Sequence, residues 1–401
     1  MEDFNRATVG VDDLFLCLRP VLITGKILGN LPLQNVCKLS KDRLPKYRVS
    51  PWAILCYINI VAHALRGTVV ICLAAWFMLH ATFGSLTMEE KLHVLFDQTT
   101  TAALCDILLC NLIWKTRKLC SLMETWRKLS SRLSLVETDV HLKIKIAITL
   151  TATMVSAISE NLLNNIRFRW LKEQEINVPF LQGHYKHHHR LYSEFIPYNP
   201  VLAAVLLFFD KITVISINYA SILHISLSFA LAGKFTSLVS NVKKHSCTDW
   251  WTVRKDYLIL FELVEHVEDF MSFQILCSMC FVLYWICISV YIGIANTSDS
   301  FIDGIYGFWA FIHLSFRFLL ICIPAGAIPE SSYQIWAILQ KFPGEKYTLE
   351  VIRMEHLISR PIGLTGAKFF ILSRSFILGV ISVLFTIEIV LLQMSEGRKN
   401  S

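Results

Sequence analysis

The 401-residue sequence is poor in charged residues. Asp, Glu, Lys and Arg make up 17% of the chain, and 54% of the residues are hydrophobic. An average soluble domain has about 25% charged and about 45–50% apolar residues. At roughly 150 residues per domain, a soluble chain of this length would contain two or three domains joined by polar linkers, and no such linkers are found. The composition therefore argues against a soluble globular enzyme.

The common catalytic signatures are also absent. The sequence contains no GxGxxG, P-loop, HExxH or GxSxG motif, so the glycine-rich phosphate loops, zinc ligands and nucleophile turns of familiar enzymes are missing. We therefore predict that the protein is not an enzyme and that it uses no cofactor and no metal. The N-terminus starts acidic and lacks a basic segment followed by a short apolar core, so we expect no cleavable signal peptide.

Long apolar runs separated by short charged stretches take the place of these features. A bilayer core about 30 Å thick is crossed by about 20 apolar residues in a helix, which satisfies its own backbone hydrogen bonds. We predict an all-α polytopic membrane protein with seven transmembrane helices, with six or eight as alternatives. The predicted spans are 54–80, 92–114, 145–164, 201–232, 273–295, 306–327 and 368–393.

The distribution of basic residues predicts the orientation. With seven spans, the N-terminus and the stretches 115–145, 233–256 and 328–368 share one side, and they hold 26 of the 38 Lys and Arg residues. The opposite side holds 8. The positive-inside rule therefore places residues 1–50 in the cytoplasm and the tail 396–401 outside, with the transmembrane domain at 51–395. G-protein-coupled receptors have the opposite orientation. The basic stretches indicate topology and anionic-lipid contact rather than nucleic-acid binding.

A candidate glycosylation site and a run of histidines are the two outer-loop features that bear on function. None of the 12 cysteines lies in a predicted outer loop, so we expect no disulfide framework there. Asn296, in the sequence Asn-Thr-Ser, is a candidate glycosylation site on an outer loop. The second feature is a run of histidines, His184, His187, His188 and His189. We expect a solvated loop there, with a modulatory metal or pH site as the alternative.

Polar residues inside membrane spans are costly and usually face protein or water. Six of them lie at similar depth, at the outer ends of predicted spans two and three and in the outer half of span six. Such residues could bind a sugar or a related polyol, because paired polar groups bond its hydroxyls while an aromatic ring stacks on its apolar face. Structural pairs between helices are the alternative. The candidate ligand-binding residues are Asp97, Gln98, Glu160, Asn161, Tyr306 and Trp309.

Small and polar residues form one stripe along the last predicted span. They recur at steps of four, three, four and seven, which places them on one helical face. Such a stripe allows close packing between helices; alternatively, it lines a hydrated pore where several subunits meet. The stripe consists of Ser375, Gly379, Ser382, Thr386 and Gln393.

The same span ends in a recognisable motif. Residues 386–394, TIEIVLLQM, resemble the TYxxxxxQF signature at the end of insect gustatory receptors, in the version of their sugar-receptor branch. Residues 364–374 are similar to that branch's LSGxxFFxLTR stretch, residues 251–257 to its WxxRxxY run, and residues 28–33 to its LGxxP opening. The order and spacing of these motifs together resemble the insect gustatory receptor family over nearly the whole chain.

The sequence departs from the family pattern at three positions. Ile387 replaces the signature Tyr, Met394 replaces the final Phe, and Ser221 stands where an acid is expected in the sugar branch. The departures leave open a different ligand, as in bitter-type receptors, or a role as a co-subunit.

The resemblance implies a ligand-gated, poorly selective cation channel in the plasma membrane of a sensory neuron. It implies homo- or heterotetramers with a cytoplasmic N-terminus, cytoplasmic helix extensions that anchor the subunits, and a pore helix at 368–394. Carried over residue by residue, Gln393 and Met394 lie at the pore constriction, with Thr386 and Ser382 further along the pore helix. A receptor that signals through G proteins is the alternative.

Overall fold

In the computed structural model, most of the chain is helical. The structure describes residues 14–34, 36, 46–47, 51–79, 99–100, 103–104, 106–137, 139–175, 179–244, 249–295, 301–341, 348–360 and 362–399. Eleven named helices lie in these ranges, and residues 106–114 are also helical. The helices are α1 (Leu14–Ile27), α2 (Pro51–Leu79), α3 (Thr116–Ser130), α4 (Leu142–Glu175), α5 (Phe180–His188), α6 (Arg190–Phe195), α7 (Pro200–Lys244), α8 (Trp250–Ala295), α9 (Phe301–Leu339), α10 (Leu349–Ile358) and α11 (Arg374–Lys399).

Five helices in the described part are long and apolar enough to cross a membrane. The apolar stretches are Cys56–Trp76, Leu142–Arg167, Pro200–Lys244, Trp250–Val290 and Gly304–Leu339. They correspond to predicted spans one, three, four, five and six. Predicted span two, 92–114, is only partly described, and α11 lies where the seventh span was predicted. An all-α membrane architecture is therefore what the structure shows.

The three longest helices extend well past a bilayer. α7 has 45 residues and α8 has 46, and at 1.5 Å per residue each is about 68 Å long, roughly twice the thickness of the hydrocarbon core. α7, α8 and α9 pack against one another, and α3 and α10 pack on α8 to complete a bundle. In this bundle Asp256 of α8 accepts hydrogen bonds from the backbone N–H groups of Ser134 and Leu135, which connect α3 to α4.

α1 and a short hairpin complete one end of the fold. Leu18, Val21 and Leu22 of α1 are fully buried against the main hydrophobic core, and α1 packs on α4 and α7. Strands β1 (Leu33–Gln34) and β2 (Lys46–Tyr47) pair antiparallel, with Leu33 opposite Tyr47. The predicted cytoplasmic segment 1–50 therefore contains a helix that belongs to the core.

The predicted start of the last helix is wrong. Residues 368–373 are not helical, because strands β3 (Thr365–Gly366) and β4 (Phe370–Ile371) form a hairpin before α11 begins at Arg374. Ala367 and Lys368 have φ angles of 48° and 65°, in the left-handed region that turns the chain. The helix also continues to Lys399, so most of the predicted tail 396–401 is helical.

The hairpin is attached to α8. The Ala367 N–H donates to the Ser272 carbonyl over 3.0 Å, and the Thr365 hydroxyl donates to Glu268 over 2.6 Å. Arg374, the first residue of α11, pairs with Glu330 of α9. The start of α11 is thereby connected to both α8 and α9.

Candidate functional site

Helices α4, α7 and α9 carry a polar cluster where they meet. Tyr306 of α9 donates from its hydroxyl to Oε1 of Glu160 on α4, over 2.9 Å. The guanidinium of Arg167, two turns further along α4, lies 5.0 Å from the centre of the Tyr306 ring, within cation–π distance. All three side chains are partly buried. A carboxylate, a phenol and a guanidinium therefore meet at one junction.

Lys211 of α7 extends this cluster. Its ammonium donates to the side-chain oxygen of Asn161 over 3.0 Å and to that of Asn165 over 3.3 Å. The Asn161 amide in turn donates to Oε2 of Glu160 over 3.4 Å. Acceptors and donors thus alternate across three helices, an arrangement that suits a ligand with several hydroxyl groups.

A polar track leads from this cluster toward the middle of α9. The imidazole Nδ1 of His313 lies 2.9 Å from the Ser156 hydroxyl of α4. One turn further, the buried guanidinium of Arg317 donates to the Ser221 hydroxyl over 2.7 and 3.0 Å and lies 5.4 Å from the Phe281 ring centre. From Tyr306 to Arg317 the track spans about 16 Å at 1.5 Å per residue.

The structure describes four of the six predicted ligand-binding residues. It brings Glu160, Asn161 and Tyr306 together. Trp309 is partly buried on the same helix as Tyr306, and its buried indole N–H has no hydrogen-bond partner among the described residues. Asp97 and Gln98 lie outside the described residues, as does the glycosylation candidate Asn296.

The predicted pore residues lie on the face of α11 that points away from the rest of the subunit. Ser382, Thr386 and Gln393 are all exposed, and the Thr386 hydroxyl donates to the Ser382 carbonyl within the helix over 2.9 Å. Met394 is in the same helix, but its side chain lies outside the described set. The opposite face packs on the core through Phe376, Ile377, Val380 and Leu384. The predicted stripe therefore faces away from the subunit's own bundle.

Comparison with known proteins identifies the family. The family model for "Trehalose receptor" matches residues 2–401. The chain belongs to the trehalose receptor family. It is 25% identical over 228 residues to the gustatory receptor for sugar taste 64a of Drosophila melanogaster, covering 55% of this chain and 50% of that protein. It is 30% identical over 183 residues to gustatory receptor 5a for trehalose of the same fly, covering 45% and 41%.

The aligned parts thus span half or less of these two relatives. Among solved structures, the insect olfactory receptor OR5 from Machilis hrabei matches with a TM-score of 0.63 and 15% identity, over 94% of this chain and 97% of that chain. At that identity the likeness shows the fold alone. The family assignment and the five apolar helices together make the chain a multi-pass membrane protein with an insect chemoreceptor fold, of a receptor rather than an enzyme class.

The histidine run of this family member is not a solvated loop. Three of the four histidines lie in the short helix α5 and His189 lies between α5 and α6; His184 and His189 are 4% and 6% exposed. Nε2 of His189 lies 2.9 Å from Oδ2 of Asp210 on α7. Polarity in the sequence suggested solvent exposure, whereas the packing of α5 and α6 against α7 and α2 buries His184 and His189. Among the described residues, no group of three metal-ligating side chains is found.

Sequence reasoning missed some members of the polar cluster. Asn165 and Ser156 were not among the candidates, although each is four residues from one of them, Asn161 and Glu160, and therefore on the same face of α4. That helical spacing was the signal that could have found them. The pairing of Asn161 with Lys211, 50 residues away in sequence, had no signal in the linear pattern.

Proposed function

We propose that this member of the trehalose receptor family is a gustatory receptor that acts as a ligand-gated, non-selective cation channel for sugars or related small polar tastants. One observation carries the proposal of a polar ligand: Glu160, Asn161, Lys211 and Tyr306 converge from three helices at one junction. The names of the fly relatives, which refer to sugar taste and to trehalose, support the same ligand class.

The chemistry of the junction suits a polyol. Glu160 accepts hydrogen bonds, Lys211 and the Trp309 indole donate them, and Tyr306 and Trp309 supply apolar ring faces. Binding sites of this kind combine aromatic walls with a few polar groups that orient the ligand. A tastant that bonds these groups more strongly in one state of the receptor shifts the population toward that state by its difference in affinity.

The channel is proposed to form from α11 of several subunits. Ser382, Thr386, Gln393 and Met394 would line the path where four α11 helices surround one axis, with the N-terminus in the cytoplasm and the C-terminus outside. The exposure of this stripe in a single subunit supports the proposal. The connection of α11 to α8 and α9 through Glu268, Ser272 and Glu330 gives ligand-induced shifts of α9 a route to the pore helix.

Whole-cell recording with a panel of sugars and bitter compounds tests the ligand site. Tyr306→Phe removes the hydroxyl that bonds Glu160. That hydroxyl holds the Glu160 carboxylate in place at the proposed site, and a hydrogen bond to a charged group contributes about 1.5–3 kcal/mol. When the carboxylate is no longer held, we expect the half-maximal sugar concentration to rise at least about tenfold. The matched control is Tyr333→Phe, which alters a 63% exposed tyrosine further along α9. Equal responses of the two variants would contradict the site.

Ion permeability tests the pore. Gln393→Ala, Met394→Ala and Thr386→Ala are expected to change the relative permeability of Na⁺, K⁺ and Ca²⁺ while the sugar dependence stays near wild type. Thr68→Ala is a matched control, since the Thr68 hydroxyl is also exposed and also donates to its own helix, over 2.8 Å to the Ala64 carbonyl. A cation current with unchanged permeability in all three pore variants would refute the pore assignment.

Two further outcomes separate the alternatives. A current that appears only on co-expression with another gustatory receptor would identify a co-subunit. If antibodies reach an N-terminal tag on intact cells, the topology is the opposite of the proposed one, which would favour a receptor that signals through G proteins.

A further inference from the structure

A second ionic cluster holds the helix pair α5–α6 against the membrane helices. Asp210 of α7 is its centre. Nε2 of His189, at the junction of α5 and α6, lies 2.9 Å from Oδ2 of Asp210, and Nη1 of Arg66 on α2 lies 3.1 Å from Oδ1. The side chains of His189 and Arg66 are 7% and 13% exposed. Three separate parts of the chain therefore meet at one carboxylate.

Neighbouring groups define the charge around Asp210. Arg66 also donates to the Thr213 hydroxyl over 3.4 Å, and its carbonyl accepts a hydrogen bond from Tyr192 of α6. Burial raises the pKa of Tyr192 to about 12, so this phenol carries no charge at neutral pH. Burial also raises the pKa of Tyr185 on α5. The phenols are thus neutral partners, and the charge balance depends on the carboxylates, the Arg66 guanidinium, the Lys211 ammonium and the imidazoles.

A second carboxylate lies next to this group. Oδ1 of Asp106 is 3.5 Å from Nδ1 of His63 on α2, and His63 also lies 3.4 Å from the Thr213 hydroxyl. The carboxylates of Asp210 and Asp106 thus lie near the guanidinium of Arg66 and near the ammonium of Lys211, which interacts electrostatically with Asp210. His189 and His63 are in direct contact with a carboxylate; His184 of α5 lies near His189, with ring centres 5.7 Å apart.

The cluster is physically connected to the candidate ligand site. Lys211 follows Asp210 directly in α7, about 100° further around the helix. Asp210 points to the α5–α6 pair, whereas Lys211 bonds Asn161 and Asn165 of α4. A shift of this turn of α7 moves both groups at once.

We propose that a proton on His189 clamps the α5–α6 pair to α7 through Asp210 and Arg66, so that the pH on the outer side controls how firmly this pair is seated beside the ligand site. The imidazolium carries the charge that pairs with Asp210. The clamp is therefore complete in acid, where the imidazole is protonated, and weakens in base, where the imidazole is neutral and the charge that pairs with Asp210 is lost. The outer location of the pair rests on the proposed topology.

Hydrogen–deuterium exchange of the full chain in lipid nanodiscs tests the clamp without relying on channel function. Peptides covering 180–199 are compared at pH 5.5 and pH 8.0, after correction for the intrinsic pH dependence of exchange. We expect the bond between the His189 imidazolium and the Asp210 carboxylate to make opening of the α5–α6 pair at least about tenfold less frequent. We therefore expect exchange in these peptides to be about tenfold slower at pH 5.5 than at pH 8.0, with no such difference in peptides of α10.

Three variants identify the groups responsible. His189→Gln and Asp210→Asn are expected to exchange rapidly at both pH values. His189→Lys carries a permanent positive charge and is expected to stay protected at both, which a loss of folding could not produce. His356→Gln, an exposed histidine of α10, is expected to behave as wild type. Equal wild-type protection at both pH values, or a pH difference that persists in His189→Gln, would overturn the clamp.

Discussion

Asp256 offers a quantitative test of how the bundle that contains α3, α8 and α10 is held together. Its side chain is completely buried. Oδ2 accepts from the Leu135 N–H over 2.6 Å and from the Ser134 N–H over 2.9 Å, and Oδ1 lies 3.1 Å from the latter. These two donors belong to the segment between α3 and α4, which is 121 or more residues away in sequence. The carboxylate therefore fixes that segment to α8.

Asp256→Asn leaves the shape of the side chain but removes the charge and one acceptor. An amide group then faces a backbone N–H, and the loss of one charge-assisted bond together with one unsatisfied donor costs on the order of 3 kcal/mol. With an unfolding entropy of about 2.1 cal/mol/K per residue over 401 residues, this corresponds to a fall in melting temperature of about 4 °C. Thermal unfolding of detergent-solubilised protein, followed by size-exclusion chromatography, measures it.

Asp249→Asn is the control on the same helix. Asp249 is exposed just before α8 begins, and it accepts from the Thr252 N–H over 3.2 Å, as an N-cap residue does. Asn and Asp are about equally good N-caps, so we expect a change below about 1 °C. The reasoning fails if Asp256→Asn melts within 1 °C of wild type, or if the two variants lose stability equally.

Two further predictions concern packing and pH. Gly25→Ala is expected to destabilise the fold by about 1–3 kcal/mol, because its Cβ would overlap the hydroxyl of the fully buried Tyr219. Gly304→Ala, whose Cβ would have no neighbour within 4 Å, should not lower the melting temperature. Partial burial opposes ionisation of Asp139, but the hydrogen bond from Lys145 outweighs it and holds the pKa of that carboxyl below its usual range. The stability from this pair is therefore present above about pH 4 and lost as pH falls through the folded-state pKa, so the difference in melting temperature between wild type and Asp139→Asn should vanish in acid.

Much of the fold was predictable because hydrophobicity is a local property. A run of apolar residues forms a helix in lipid whatever its neighbours are, so five of the seven predicted spans coincide with apolar helices of the structure. The start of α11 was not predictable in this way. Residues 368–373 are as apolar as the helix that follows. The left-handed turn at Ala367 and Lys368 nevertheless directs them into a hairpin, so α11 begins only at Arg374.

The candidate ligand site was predictable only as a set of residues at similar depth. Glu160 and Tyr306 were expected at comparable heights, but depth does not say which helices are neighbours. Their 2.9 Å hydrogen bond joins residues 146 positions apart, and it exists because α4 and α9 pack against each other. The same argument applies to Lys211, whose bond to Asn161 depends on the rotation of α7 about its axis.

The sequence by itself determined the solvent, the class of fold and, through the order of its motifs, the family. The solvent and the class of fold follow from composition and from the length of the apolar runs, and the family follows from the resemblance of the motifs to those of known receptors. Only the tertiary structure decided that His189, one residue of a polar histidine run, is buried against Asp210, and that polar residues of three helices share one junction. Such contacts depend on how helices cross and rotate against one another, and this geometry is set by the packing of whole surfaces rather than by any local pattern.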